Sequence, residues 1–262
     1  MSQADSTSFA ARRFQSAAAH YNAGRPPYPA ALIARVAERL DLAPSHRLLD
    51  LGCGPANLAT AFAPYVGEVV AVDPEPAMLA LARVAAANHT NVRVQPGSAA
   101  DLSADYGQFH ATLIGRAFHW MDRDDTLRRL DSLLHPNGAV VLFDDEFPKI
   151  PQNGWLHEYR AILSRYSDDD EDRRKRKSTD YIPHTSVLLN SVFSEIETVG
   201  VIVRHEVTAE MLIDRALSLS STSAARLGAR TANMLAELRA WVAPGATEFI
   251  EWMAIIARRP LQ

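Results

Sequence analysis

The chain has 262 residues, 47% of them hydrophobic, which suits one substantial core with an inserted or appended lid and argues against two independent domains. Its 27 Lys and Arg against 31 Asp and Glu leave a net charge of −4 with the basic residues dispersed, so no nucleic-acid partner is expected. The single cysteine, Cys53, excludes an intrachain disulfide framework, and without clustered His or Cys there is no zinc spacing, so no metal is expected.

Met1 to Gln15 is polar, rich in Ser and Ala, and lacks the apolar stretch of a secretory signal. No run approaches the roughly 20 apolar residues of a membrane span, so a cytoplasmic chain with no membrane partner is expected. Ala30 to Leu40 sets Leu32, Ile33, Val36, Ala37 and Leu40 on one face, which predicts a helix. His46 to Leu51 is a short apolar run that breaks at Gly52, and helical spacing resumes from Asn57 to Tyr65. Glu68 to Val72 reads as a second strand ending in Asp73-Pro74, followed by a helix over Pro76 to Asn88 and a third strand over Asn91 to Gln95. This alternation predicts a parallel sheet. Ala111 to Gly115 reads as a fourth strand and Asp124 to Leu134 as a helix; Pro136-Asn137-Gly138 reads as a turn before a fifth strand, Ala139 to Phe143.

From Phe147 to about Asn190 the periodicity weakens, apart from helical spacing over Trp155 to Tyr166, and the segment reads as an inserted lid. Within it, Asp168 to Lys177 is an acidic block followed by a basic one, read as a solvated lid helix or flexible loop rather than as a reader of acidic substrates. Phe193 to Val207 and Glu248 to Arg258 read as late strands, with helices over Ala209 to Leu219 and Thr231 to Val242. The expected division is a cap segment over 1–30, a nucleoside-binding core over 31–146, a lid over 147–192 and a sheet-completing part over 193–262.

Asp50-Leu51-Gly52-Cys53-Gly54 is the segment richest in chemistry. A strand that turns sharply into a helix while its backbone nears a ligand needs glycine for both the dihedrals and the missing Cβ, which accounts for Gly52 and Gly54. Asp50 can accept from an ammonium group, which favours an amino-acid ligand over a phosphate. Asp73, about 20 residues past the glycines, can accept both hydroxyls of a ribose. A nicotinamide enzyme would also place an acid there, but its third glycine falls on Asn57, and the Gly-Lys-Ser/Thr ending of a P-loop is absent. Cys53 has no local base to activate it and reads as a small packed side chain.

On these residues, the stretch from Tyr21 to Asp145 resembles the methyltransferase type 11 family of class I S-adenosylmethionine enzymes. The resemblance implies an α/β, doubly wound, Rossmann-like sheet of seven strands, mostly parallel with the last hairpin antiparallel, under a helical lid. It implies that the turn from Asp50 to Gly54, Cys53 included, holds the methionine moiety, that Asp73 holds the ribose, and that Pro74 and Met78 flank the adenine. The family's Gly-Asp-Ala-Glu signature appears as Gly97-Ser98-Ala99-Ala100, so Ser98 stands where a carboxylate often meets the adenine amino group; His110 stands where an acid commonly precedes the fourth strand.

The run from Tyr21 to Pro29 is similar to the opening segment of a subgroup that includes trans-aconitate-type methyltransferases. Aromatic rings can close over a sulfonium and a guanidinium can take a carboxylate, so Tyr21, Arg25 and Tyr28 are cap candidates, against the alternative of a proline-stiffened packed loop. Beyond the fourth strand, the resemblance puts Arg116 beside the donor and His119-Trp120 near the acceptor. His119 is either a general base or a packed, hydrogen-bonded histidine, since in-line positioning alone supplies much of the acceleration. Phe118, Trp120, Phe147 and Trp155 are candidate walls of a pocket for a small organic acceptor, whose O, N or C atom would attack the methyl group without a metal. A carboxyl O-methyltransferase of the trans-aconitate type, a nicotinamide oxidoreductase and a non-catalytic donor-binding protein stay open, as do monomer and homodimer.

Overall fold

The protein is described from a computed structural model over residues 18–167, 178, 180–241 and 246–261; the Asp168 to Lys177 charge block lies outside them. Seven strands form one sheet: β1 (Arg47–Leu51), β2 (Glu68–Asp73), β3 (Val92–Pro96), β4 (Phe109–Gly115), β5 (Leu134–Glu146), β6 (Glu195–Val207) and β7 (Ala246–Arg258). Their order is β3-β2-β1-β4-β5-β7-β6, as expected for the doubly wound class. β1 pairs in parallel with β2 and with β4, β2 with β3, and β4 with β5. The order reverses between β1 and β4, which opens a crevice at their carboxyl ends where such sheets bind ligands.

The chain folds as two compact units. Of the described residues, one holds 28–145, 182–201 and 252–261; the other holds 18–27, 146–167, 178, 180–181, 202–241 and 246–251. The division falls after Tyr181 rather than at the expected 192/193 boundary because the helix His184–Leu189 buries Val187 and Leu188 in the core of the sheet unit, beside Phe118, Leu127 and Phe193. Six residues are too short a helix for its spacing to register as a period in the sequence.

One expected turn is not there. Pro136-Asn137-Gly138 lies inside β5, and the register jumps from Phe109↔Leu134 to Ala111↔Ala139, a bulge that absorbs the extra residues. The irregular carbonyls are satisfied by Arg259, whose guanidinium donates to His135 and Pro136 oxygens at 2.8 and 3.1 Å. A proline and a glycine that punctuate a sequence can therefore sit in a strand when a distant side chain supplies the missing donors.

The second unit packs the helices Leu156–Tyr166, Ala209–Ser218 and Arg230–Trp241 around Tyr159, Ile162, Leu212, Met234 and Leu238. Inside it Arg215 donates to both oxygens of the fully buried Glu248 at 2.7 Å and to the Gly24 carbonyl at 3.1 Å. Gly24 ends the helix Ala18–Gly24, and a Cβ there would lie 2.3 Å from the Arg215 backbone nitrogen. Among the described residues no helix is long and apolar enough to cross a membrane, and no group of three or more His, Cys, Asp or Glu could hold a metal ion.

At the amino-terminal edge of the sheet, the His110 ring stacks on His46 at 3.7 Å and lies 4.3 Å from His135. Its Nδ1 accepts from the Arg47 N–H at 3.2 Å, which only the neutral ring can do. Burial, then the neighbouring His46, His135 and Arg47, hold His110 down at about 4. The native state therefore binds this proton less readily than the unfolded chain. Stability is complete above the ordinary histidine range and is lost as pH falls from about 6.5 toward 4. Thermal denaturation should show a melting temperature that drops across that window, and His110→Gln, which keeps an acceptor but does not titrate, should drop less.

Candidate active site

β1 leads through Asp50 and Leu51 into the glycine turn, which is tied to the end of β2 by three backbone donors. Gly52 and Cys53 N–H donate to the Val72 carbonyl at 2.8 and 3.0 Å, and Gly54 N–H donates to Asp73 Oδ2 at 2.8 Å. Gly52 and Gly54 have φ of +70° and +54°, which a side chain would strain. A Cβ on Gly52 would stand 2.7 Å from the Ala117 Cβ, whereas one on Gly54 would meet nothing within 4 Å. The first glycine lets the turn pack on the segment after β4; the second leaves an open cradle.

Two carboxyls flank this turn. Asp73 is 8% exposed, and its second oxygen accepts from Glu75 N–H at 2.8 Å. Asp50 is 1% exposed, and its Oδ2 accepts from Ala59 N–H at 2.9 Å, in the first turn of the helix Asn57–Phe62. Sequence reasoning points Asp50 at a ligand's ammonium group; the structure turns one of its oxygens to the backbone, where it anchors the helix start to the strand. Burial pushes Asp50 up to about 7 against the pull of the Ala59 N–H, with Asp73 adding to the rise. Burial also raises Asp73, against the N–H groups of Glu75 and Gly54. The Cys53 thiol is driven well above its ordinary range by burial and by both carboxyls, which makes it a packed group and a poor nucleophile.

Around the turn, Pro74 is exposed and Met78 is buried at the start of the helix Pro76–Ala86. Ser98 Oγ donates to Asp101 Oδ2 at 2.7 Å and its N–H to the same oxygen at 2.8 Å, a capping box on the short turn that begins at Ala99. A carboxylate is thus present three residues after the expected position, held by Ser98.

The segment after β4 forms the facing wall. Arg116 adopts a left-handed backbone (φ +53°), donates to Asp145 Oδ1 at 3.0 Å, and lies over the rings of Tyr28 and Trp252 at 5.3 and 5.7 Å. A non-glycine residue in that region costs about 1 kcal/mol or more, and such outliers gather at functional sites. The Tyr28 hydroxyl lies so close to Gly115 that a Cβ there would stand 2.4 Å from it. Beside Arg116 is a cavity of about 90 Å³ whose walls include Phe118, His119, His184, Asp144, Phe143 and Met253. The His119 and His184 rings lie parallel, 6.2 Å apart. Burial and the nearby Arg123 guanidinium hold His184 down at about 4, so it is neutral near pH 7. Trp120 is 37% exposed with its ring 4.7 Å from His119.

Of the expected site residues, Tyr28, Asp50, Gly52, Cys53, Gly54, Asp73, Pro74, Met78, Ser98, Ala99, Arg116, Phe118, His119 and Trp120 lie in the sheet unit. The other expected residues belong to the second unit. There Arg25 lies over the Tyr21 ring at 4.6 Å, Phe147 faces Arg160 and Arg215, and the Trp155 indole donates to the Thr247 carbonyl at 2.8 Å. Sequence reasoning missed His184, Trp252 and Asp145, which the structure sets beside His119 and Arg116.

Residues 48–138 match the family profile described as a methyltransferase domain. The chain is 30% identical over 229 residues, covering 87% of itself and 85% of the relative, to the uncharacterized methyltransferase Rv3342 of Mycobacterium tuberculosis. The chain belongs to the class I S-adenosylmethionine-dependent methyltransferases. In fold, this methyltransferase is similar to the S-adenosylmethionine-dependent methyltransferase of Thiobacillus denitrificans solved with S-adenosyl-L-homocysteine (TM-score 0.56, 16% identity, 95% of this chain and 98% of that one). It is also similar to YcgJ of Bacillus subtilis (TM-score 0.53, 18% identity, 88% and 99%). Membership sets aside the nicotinamide and non-catalytic readings, and the methyl donor is S-adenosylmethionine.

The residues present fit that donor: an open cradle at Gly54 and two flanking buried carboxyls suit a cationic ligand. Gly54→Ala separates fold from binding. Its melting temperature should fall by only about 2–8 °C, the effect of about 1–2 kcal/mol of left-handed strain, while calorimetry should show S-adenosylmethionine affinity reduced at least about tenfold. Gly52→Ala, which meets the Ala117 Cβ, should lose more stability.

Proposed function

We propose that this methyltransferase transfers the methyl group to an O, N or C atom of a small organic acceptor bound beside His119 and His184, without a metal. The observation that carries this reading is the cavity at the carboxyl ends of β4 and β5, whose wall continues through Ala117 to the back of the glycine turn. The bound donor supplies an electrophilic methyl carbon on a sulfonium. The protein's part is to hold and orient: Gly52, Cys53 and Gly54 form the backbone cradle, Asp73 accepts from the ribose, Pro74 and Met78 flank the adenine, and Ser98 and Ala99 close its edge. Arg116, Tyr28, Phe118 and Trp120 shape the acceptor end. His119 takes the acceptor's proton, and in-line placement supplies the rest of the acceleration.

A carboxylate acceptor of the trans-aconitate kind is the second reading, supported by the Arg116 guanidinium on the cavity wall. The acceptor is found by following S-adenosylhomocysteine formation over a panel of small phenols, amines and carboxylates. With the acceptor in hand, His119→Ala should lower kcat about 100-fold while the KM for S-adenosylmethionine stays within about twofold. An unchanged kcat would return His119 to a packing role. Asp73→Ala should weaken binding of S-adenosylmethionine and S-adenosylhomocysteine alike, by about 10- to 100-fold, the loss of a charged hydrogen bond. Tight NADH binding in the same titration would overturn the donor assignment.

A further inference from the structure

The glycine turn is surrounded by more acid than cradling a ribose needs. Besides Asp50 and Asp73, Glu75 is buried to 6% exposure. Its Oε1 accepts from Ala77 N–H at 3.3 Å and caps the helix Pro76–Ala86, while its Oε2 is buried with no hydrogen-bond partner. The three carboxyls form one group: Asp73 bonds the Glu75 backbone and acts electrostatically on both Glu75 and Asp50. Within the described residues, the hydrogen bonds they accept come from backbone N–H groups, those of Gly54, Ala59, Glu75 and Ala77. The other titratable group facing them is the Cys53 thiol in the turn. Among the described residues no arginine, lysine or histidine bears on any of the three. A buried carboxylate cluster without a counter-cation keeps its protons until a cation arrives.

We propose that Asp50, Asp73 and Glu75 read the charge on the ligand's sulfur: binding of the sulfonium donor drives more proton from the cluster into solvent than binding of the thioether product does. The inference rests on the donor-site reading above. It assigns the cluster a part in specificity, because the two ligands differ by one methyl group and one positive charge.

The sign follows from linkage. Below pH 7 the free protein holds the Asp50 proton, since burial keeps that group up at about 7. A ligand that favours the ionised cluster must release it, so its affinity rises with pH and levels off once the free protein is itself ionised. The thioether lacks the sulfonium charge, and the ammonium group that both ligands carry acts on the cluster alike, so only the donor's extra charge enters the ratio. The ratio of S-adenosylmethionine to S-adenosylhomocysteine affinity should therefore increase from pH 5.5 to 7, by up to about tenfold per unit for one linked proton.

The test is calorimetric titration of the full-length protein with each ligand at pH 5.5, 6.2 and 7.0, in phosphate and in imidazole buffers. The different ionisation heats of the two buffers count the protons released. Expected is greater release with S-adenosylmethionine than with S-adenosylhomocysteine, and a ratio that climbs with pH. Asp50→Asn and Glu75→Gln keep an acceptor for Ala59 and Ala77 but cannot ionise. Both should flatten the donor's pH dependence, and Glu75→Gln should leave product affinity within about threefold. Should a variant fail to fold, the proton count on the unmodified protein decides alone. Equal proton release and parallel pH profiles for the two ligands would overturn the charge-reading proposal while leaving the donor site intact. Binding of neither ligand would overturn both.

Discussion

A turn that leaves one strand can present its backbone to a ligand only if something holds it against the next strand. In this methyltransferase the hold is a short series of N–H donors: Gly52 and Cys53 to the Val72 carbonyl, Gly54 to the Asp73 carboxylate, and Ala59 to Asp50. All lie where water is largely excluded, so leaving any one unmade would cost about 1–3 kcal/mol. The positions of the helix Asn57–Phe62 and of the wall at Ala117 follow from this lock, because Gly52 packs directly on Ala117. The cavity behind that wall inherits its place from the same contact.

The wall carries a constraint of its own. Arg116 keeps a left-handed backbone because several partners fix it: its N–H donates to Phe143 O at 2.9 Å, its guanidinium donates to Asp145, and two aromatic faces lie beneath it. Those partners come from β5, from the residues before the helix Ala30–Arg39, and from β7. The active-site rim thus depends on distant parts of the chain arriving at one place, which is why the strands that follow β5 matter to chemistry sited on β1 and β2.

How much of this the sequence discloses varies with the range of the interaction. The β1 turn, β2 and the helix over Pro76–Ala86 are legible because apolar runs and glycines within a few residues dictate them. β6, β7 and the helix Leu156–Tyr166 are legible for the same reason. Pro136-Asn137-Gly138 misleads, since Arg259, more than a hundred residues away, supplies the donors that keep it in a strand. His184 is invisible in the sequence because a six-residue helix shows no period and the ring's neighbours, Phe118, His119 and Arg123, come from another part of the chain. Asp50 stands out in the sequence as an acid at a strand's end, but its backbone partner nine residues on becomes evident only when the turn is built. His110 reads as a departure from family pattern; folded, it stacks on His46 and lies against the tilted ring of His135.

The buried pair of Arg215 and Glu248 has an implication for how this lineage can drift. Removing either partner alone strands a charge in the core at about 3–5 kcal/mol, a large share of the 5–15 kcal/mol by which a typical domain exceeds unfolding. Replacing both with well-packed apolar side chains costs far less. Single mutational steps at these two positions are closed and only paired ones are open, so descendants of this gene should either retain both residues or have exchanged both together.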